Sequence, residues 1–117
     1  MNYNLSLNDR PFKAIEAGTK KIEGRTPKDE SDKRYDQMVS GDVLIFTNNI
    51  TGKQITCEVL GVRKYPDVRK MLETEGVENV LSSALDIEGG IESYNSLDGY
   101  EGRIKKFGIY AIGVKVK

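Results

Sequence analysis

The chain has no histidine, a single cysteine and three prolines. Lacking histidine, it has no side chain that ordinarily titrates near neutral pH and lacks the commonest metal-binding imidazole. With only Cys57, no intrachain disulfide can form, and a zinc site built on cysteine and histidine is excluded. Cys57 sits in an apolar run with no histidine to activate it, so it reads as a buried structural thiol rather than a nucleophile. No stretch approaches the roughly 20 apolar residues of a membrane span, and the N-terminus has no long apolar segment. The expected location is therefore the cytoplasm, with no membrane partner. Neither sign of charge is in excess: 18 basic residues balance 18 acidic ones. Any basic surface must then be local, and the charge does segregate. Between residues 67 and 101 lie Asp67, Glu73, Glu75, Glu78, Asp86, Glu88, Glu92, Asp98 and Glu101 against only Arg69 and Lys70. From residue 102 onward there are Arg103, Lys105, Lys106, Lys115 and Lys117 and no acid.

What remains is a chain whose chemistry must come from charged residues, which make up 31% of it. At 117 residues it is expected to form one domain, spanning 1–117, around one core. Tyr3, Leu5 and Leu7 alternate with polar residues and predict a first strand. Asn8 or Asp9 can cap a short helix with Pro11 in its first turn, Phe12 and Ile15 on its buried stripe and Gly18 as its left-handed stop. Lys20 to Arg25 reads as a strand with imperfect alternation. Residues 26–38 read as a polar loop with one helical turn near Tyr35 to Met38. Ser40-Gly41-Asp42 turns into a strand at Val43–Thr47, and Asn48–Lys53 forms a hairpin loop. A long strand follows from Gln54 to Tyr65, with Gly61 marking a bulge. Pro66 ends it, and Asp67 caps a helix carrying Val68, Met71 and Leu72. Gly76 breaks that helix, and Val77–Leu81 add a turn. Residues 82–102 read as irregular apart from a short helix at Ile91–Tyr94, and Gly108–Val116 reads as a central strand, apolar on both faces at first. This order predicts an α+β fold in which about five to six mixed strands, one of them long and bent, curl into a small barrel.

The segment Gly18-Thr19-Lys20-Lys21-Ile22-Glu23-Gly24-Arg25 places a lysine, a glutamate and an arginine where a helix hands over to a strand, in the pattern G-x-K-x-x-E-x-R. With that segment, the chain shows Gly41-Asp42 before a strand ending at Phe46, then Val59 and Tyr65, Leu72 with Glu75-Gly76, Tyr94, and a last strand holding Gly108, Ala111 and Ile112. In this order across the whole length, the chain resembles the ASCH (activating signal cointegrator homology) family of the PUA-like superfamily. The resemblance implies a β-barrel with helices packed around a cleft that the signature residues line. It also implies RNA or a nucleoside or nucleotide as ligand, since the family is similar in shape to RNA-binding modules. Some small members are amidohydrolases of acylated cytidine, and others are reported as ribonucleases; fold kinship does not choose among these.

The residues carry each reading differently. In the binding reading, Lys20 and Arg25 meet phosphate or base, Glu23 reads a base edge, one of Tyr65, Tyr94, Tyr100 and Tyr110 stacks on a base, with Tyr65 and Tyr94 matching the family pattern, and Arg63 follows the phosphate backbone. In the hydrolase alternative, Lys20, Glu23 and Glu75 carry the chemistry. The amidohydrolase members place a threonine, taken as their nucleophile, where this chain has Glu23, so Glu23 and Glu75 would instead activate a water. The third reading is a ribonuclease using Glu23 and Glu75 as ligands for a hard cation. An internal salt-bridge network is the structural alternative for Lys20, Glu23 and Arg25. The missing hydroxyl at position 23 favours binding, with no tightly bound cofactor.

Overall fold

The computed structural model describes residues 1–83 and 85–117. Its strands are β1 (Asn2–Leu7), β2 (Ile22–Arg25), β3 (Val43–Asn48), β4 (Gln54–Tyr65) and β5 (Ile109–Val116). The helices are α1 (Asp9–Ala17), α2 (Arg34–Gln37), α3 (Val68–Glu75), α4 (Val77–Val80), α5 (Ile87–Asn95) and α6 (Tyr100–Phe107). The five strands form one mixed sheet in the order β1-β3-β4-β5-β2. β1 runs parallel to β3, and the other neighbours are antiparallel. The sheet curls into a half-barrel, as the α+β expectation required, and its two edges, β1 and β2, approach each other. The Arg25 guanidinium spans that seam, donating from Nη2 to the Ser6 carbonyl on β1 at 2.6 Å.

Alternation along each strand decides which face it buries. In β1 the side chains of Tyr3, Leu5 and Leu7 are buried and those between them exposed. They join Phe12 and Ile15 of α1, Leu44 and Phe46 of β3, and Ile55, Cys57 and Val59 of β4 in one cluster inside the curl. A second cluster lies on the outer face, where Val68, Met71 and Leu72 of α3, Val80, Tyr94 and Ile104 pack on Ile22, Ile109 and Ala111. β5 feeds both clusters: Tyr110, Ile112 and Val114 point into the first, Ile109 and Ala111 into the second. That double burial is why its sequence is apolar on both faces.

Several local signals act as their chemistry dictates. Gly18 takes φ +83 and its N–H caps α1 through Ala14 and Ile15, a left-handed position that disfavours any residue with a Cβ. The Asp67 carboxylate accepts from the Lys70 N–H at 2.8 Å and starts α3. The β4–β5 register slips between Val59 and Gly61, the expected bulge. Asn8 holds the N-cap position of α1 but makes no capping bond, because its carboxamide oxygen accepts from Asn49 Nδ2 of the hairpin loop at 2.7 Å.

Three expectations about elements are corrected. β2 begins at Ile22, not Lys20, because the Lys20 N–H still bonds to the Ala14 carbonyl in the α1 cap. The helix expected at Ile91–Tyr94 runs from Ile87 to Asn95, started by the Asp86 carboxylate on the Gly89 N–H at 2.7 Å. Finally, Tyr100–Phe107 is a helix and not an irregular segment. Tyr100, Ile104 and Phe107 recur at four and three residues, a helical spacing hidden by Gly99 and Gly102. Of the 82–102 stretch, residue 84 lies outside the described residues. Among the described residues, no helix is long and apolar enough to cross a membrane.

Cys57 is fully buried, and burial pushes its thiol up to about 11. The folded protein at pH 8 should therefore resist thiol-alkylating reagents, and labelling should appear only on denaturation. Stoichiometric modification under native conditions, read by intact mass, would contradict this burial.

Candidate functional site

A cavity of about 330 Å³ opens at the seam between the two sheet edges. Ser6, Leu7, Asn8 and Pro11 form one wall; Lys20, Glu23, Gly24 and Arg25 form the floor. Val80 to Ser82 and the α5–α6 corner, with Tyr94, Asp98 and Tyr100, complete it. Its size suits one small ligand or one nucleotide of a longer chain.

β2 builds the charged floor. Glu23 and Arg25 are two residues apart and share one face of the strand, while Ile22 turns into the outer cluster. Lys20 reaches them from the α1–β2 link. It is 4% exposed, and its ammonium donates to the Ile22 carbonyl at 2.6 Å and to the Val80 carbonyl. Its Nζ also lies 3.4 Å from Glu23 Oε1. An ammonium has three N–H donors, so these acceptors use all of them. Arg25 Nε donates to Glu23 Oε2 at 2.6 Å. Glu23, 6% exposed, is therefore held between two cations, one on each carboxylate oxygen.

The titration behaviour follows from this sandwich. Burial pushes the Glu23 carboxyl up, but Arg25 and then Lys20 outweigh it and hold it below the usual carboxylate range. Burial lowers the Lys20 ammonium, with Glu23 opposing. For Arg25, burial works against the charge and Glu23 overcomes it, so the guanidinium holds its proton more tightly than usual. Among the described residues, Arg25 Nη1 has no hydrogen-bond partner, since Nε and Nη2 make the bonds to Glu23 and Ser6. It is the donor this triad leaves for a ligand.

Tyr94 is 8% exposed, and its ring forms part of the cavity wall. Burial raises its hydroxyl well above the ordinary tyrosine range, with the Glu23 charge adding to the effect. Tyr100 faces the same cavity, its ring centre 6.5 Å from that of Tyr94 and tilted 21° from it.

The residues expected from the sequence thus fall into two places. Lys20, Glu23, Arg25 and Tyr94 share the cavity. Arg63, Tyr65 and Glu75 do not line it, so the expectation that Glu75 would join Lys20 and Glu23 is corrected. The α3 C-terminus sets Glu75 beside the end of β4, where Arg63 grips its carboxylate with Nε and, at 2.8 Å, with Nη2, and the Tyr65 hydroxyl donates to it as well. Arg63 holds that carboxyl below its ordinary range, and the trio ties α3 to the sheet. Sequence reasoning missed Ser6 on β1 and Asn8 at the start of α1 as site residues, whereas Tyr100, one of four candidate stacking tyrosines, lines the cavity and Tyr110 does not. The two polar residues give no local signal.

The ASCH domain profile matches residues 5–117. The chain belongs to the ASCH family. Its G-x-K-x-x-E-x-R segment supplies the floor of the cavity just described. The fold is shared with two solved structures. One is the crystal structure of hypothetical protein PH0355, at 38% identity over 100% of both chains and a TM-score of 0.83. The other is the solution structure of protein PF0455 from Pyrococcus furiosus, at 36% identity over 99% of this chain and 97% of that one, with a TM-score of 0.74. No curated protein matches the chain.

Proposed function

We propose that this ASCH protein is a binding module whose cavity takes one nucleobase of a nucleotide or of single-stranded RNA. The observation that carries this reading is the unused Arg25 Nη1 on the floor of a cavity walled by Tyr94 and Tyr100. Arg25 donates to a base carbonyl or ring nitrogen, while a tyrosine ring covers the base. Glu23 fixes Arg25, and Lys20 fixes Glu23, so the donor is aimed before the ligand arrives and little ordering is lost on binding. Lys20 does not contact the ligand in this scheme, because its three N–H donors are already engaged, and Glu23 acts by aiming Arg25.

The hydrolase alternative has less support. It needs Glu75 beside Lys20 and Glu23, and Glu75 is bound to Arg63 and Tyr65 elsewhere. A carboxylate locked between two cations is also a weak base for water. The ribonuclease alternative needs Glu23 and Glu75 on one cation, and the two do not share a site.

Titration of the four common nucleosides and of short single-stranded RNAs, followed by calorimetry at low salt, tests the binding reading. The wild type is expected to bind at least one of these, and Arg25→Ala to weaken that binding by roughly tenfold or more, the cost of a charge-assisted hydrogen bond. Arg25→Lys serves where the alanine variant melts too early. Unchanged affinity in a folded Arg25 variant, or no binding by the wild type, would overturn it.

A further inference from the structure

Beside the cavity, against Tyr100 of its wall, lies a second feature that the base-binding scheme leaves unused. Arg103, on the first turns of α6, lays its guanidinium on the Tyr100 ring, 4.7 Å from the ring centre. Its Nη2 makes only a long bond of 3.4 Å to the Thr26 carbonyl, next to Arg25. Its Nε is buried and has no partner, the only such side-chain atom among the described residues. Such an atom ordinarily finds a bonding partner, because the cost of stripping its water is otherwise uncompensated.

The arginines Arg25, Arg34 and Arg103 are not equally paired. Arg25 is matched by Glu23, and Arg34 of α2 by Asp32 through two bonds of 2.9 Å. Arg103 has no carboxylate partner among the described residues. Burial raises the Tyr100 hydroxyl, while Arg25 and, to a smaller extent, the stacked Arg103 pull it back. Of these three guanidiniums, only that of Arg103 has no carboxylate bonded to it among the described residues, in a chain of zero net charge.

The geometry points to a phosphate-monoester site on this ledge, formed by Arg103 stacked on Tyr100, so that the ligand of the adjoining cavity is a nucleotide bearing a terminal phosphate rather than a free nucleoside. Arg103 suits the task because a guanidinium fork matches phosphate oxygens and a stacked one keeps its donors in plane. The inference rests on the base-binding reading for the identity of the rest of the ligand, but not for the phosphate itself.

The test compares each nucleoside with its 5′- and 3′-monophosphates, and with inorganic phosphate alone, by calorimetry and by phosphorus NMR line width. The wild type is expected to prefer one monophosphate over its nucleoside by roughly tenfold or more, and to broaden the inorganic phosphate signal. Arg103→Gln should collapse that preference, Arg103→Lys should keep part of it, and Lys105→Ala should preserve it, since Lys105 lines a different groove beside Asp67 and Ile91. Binding of a nucleoside with no gain from its phosphate would overturn the ledge and leave the base-binding reading intact. Arg103-dependent binding of phosphate or monophosphates without any nucleoside binding would do the reverse. No binding by any of these probes, or a preference untouched by Arg103→Gln, overturns the phosphate site.

Discussion

Replacing Glu23 with glutamine is expected to cost about 3–5 kcal/mol of stability, the usual penalty for removing one partner of a buried ion pair. Two cations would lose their common anion at once. Lys20 would keep its two carbonyl acceptors, and Arg25 would keep Ser6. Neither can move to water, because the ammonium is 4% exposed and the guanidinium is pinned across the seam. For a domain of this length the melting temperature should fall by roughly 10–20 °C, measured by calorimetry at neutral pH. A change of less than about 2 °C would mean that the triad contributes little to holding β1 and β2 together.

The same carboxyl makes a prediction in acid. Its folded pKa lies below the ordinary value of 4.5 because Arg25 and Lys20 favour its charged form. Its stabilising contribution is therefore complete above the unfolded value and is lost as pH falls through the folded one. The unfolded chain binds the proton first, so acid drives unfolding. Glu75 and Asp32, whose carboxyls are also held low by arginines, act in the same direction. The acid limb of the stability profile should thus flatten in Glu23→Gln without vanishing.

How much of this was legible beforehand depends on whether the signal was local. Gly18, Asp67 and Gly61 act through their own backbone neighbours, so their helix stop, cap and bulge were readable from the chain. β5 was readable because a strand buried on both faces must be apolar throughout. The pairing of Lys20, Glu23 and Arg25 was also local, all three lying within six residues. Glu75 failed for the opposite reason. Its position relative to β2 depends on how α3 crosses the sheet, and nothing near Glu75 in the sequence says that Arg63 will be its partner. The parallel pairing of β1 with β3 is likewise a tertiary outcome, and it places Ser6 across the seam from Arg25. α6 was missed because two glycines hid a three-residue apolar stripe, and with it went the Arg103 ledge, though Tyr100 itself was among the tyrosines expected to stack.

Adding one methyl group at Gly24 should damage the site as severely as removing a charged residue. A Cβ there would lie 2.4 Å from the Tyr94 hydroxyl oxygen, 2.9 Å from its Cζ and 3.2 Å from Met71 Cε. The backbone of β2 cannot retreat, since Gly24 pairs with Ala111 in the interior of the fold. Tyr94 must give way instead, and it is walled in by the outer core cluster. Overpacking of this kind costs about 1–3 kcal/mol, and the displaced ring would swing into the cavity it now borders. Gly24→Ala should therefore lower the melting temperature by several degrees and abolish ligand binding. Tyr94→Phe removes the atom nearest the added methyl. In the double variant Gly24→Ala/Tyr94→Phe, the stability loss should be smaller than the sum of the two single losses, a coupling that a double-mutant cycle resolves. Strict additivity would show that the clash is relieved by β2 moving and not by Tyr94. The cavity would then have to be rebuilt around a mobile strand, and the aimed donor on Arg25, one residue along, would lose its fixed position.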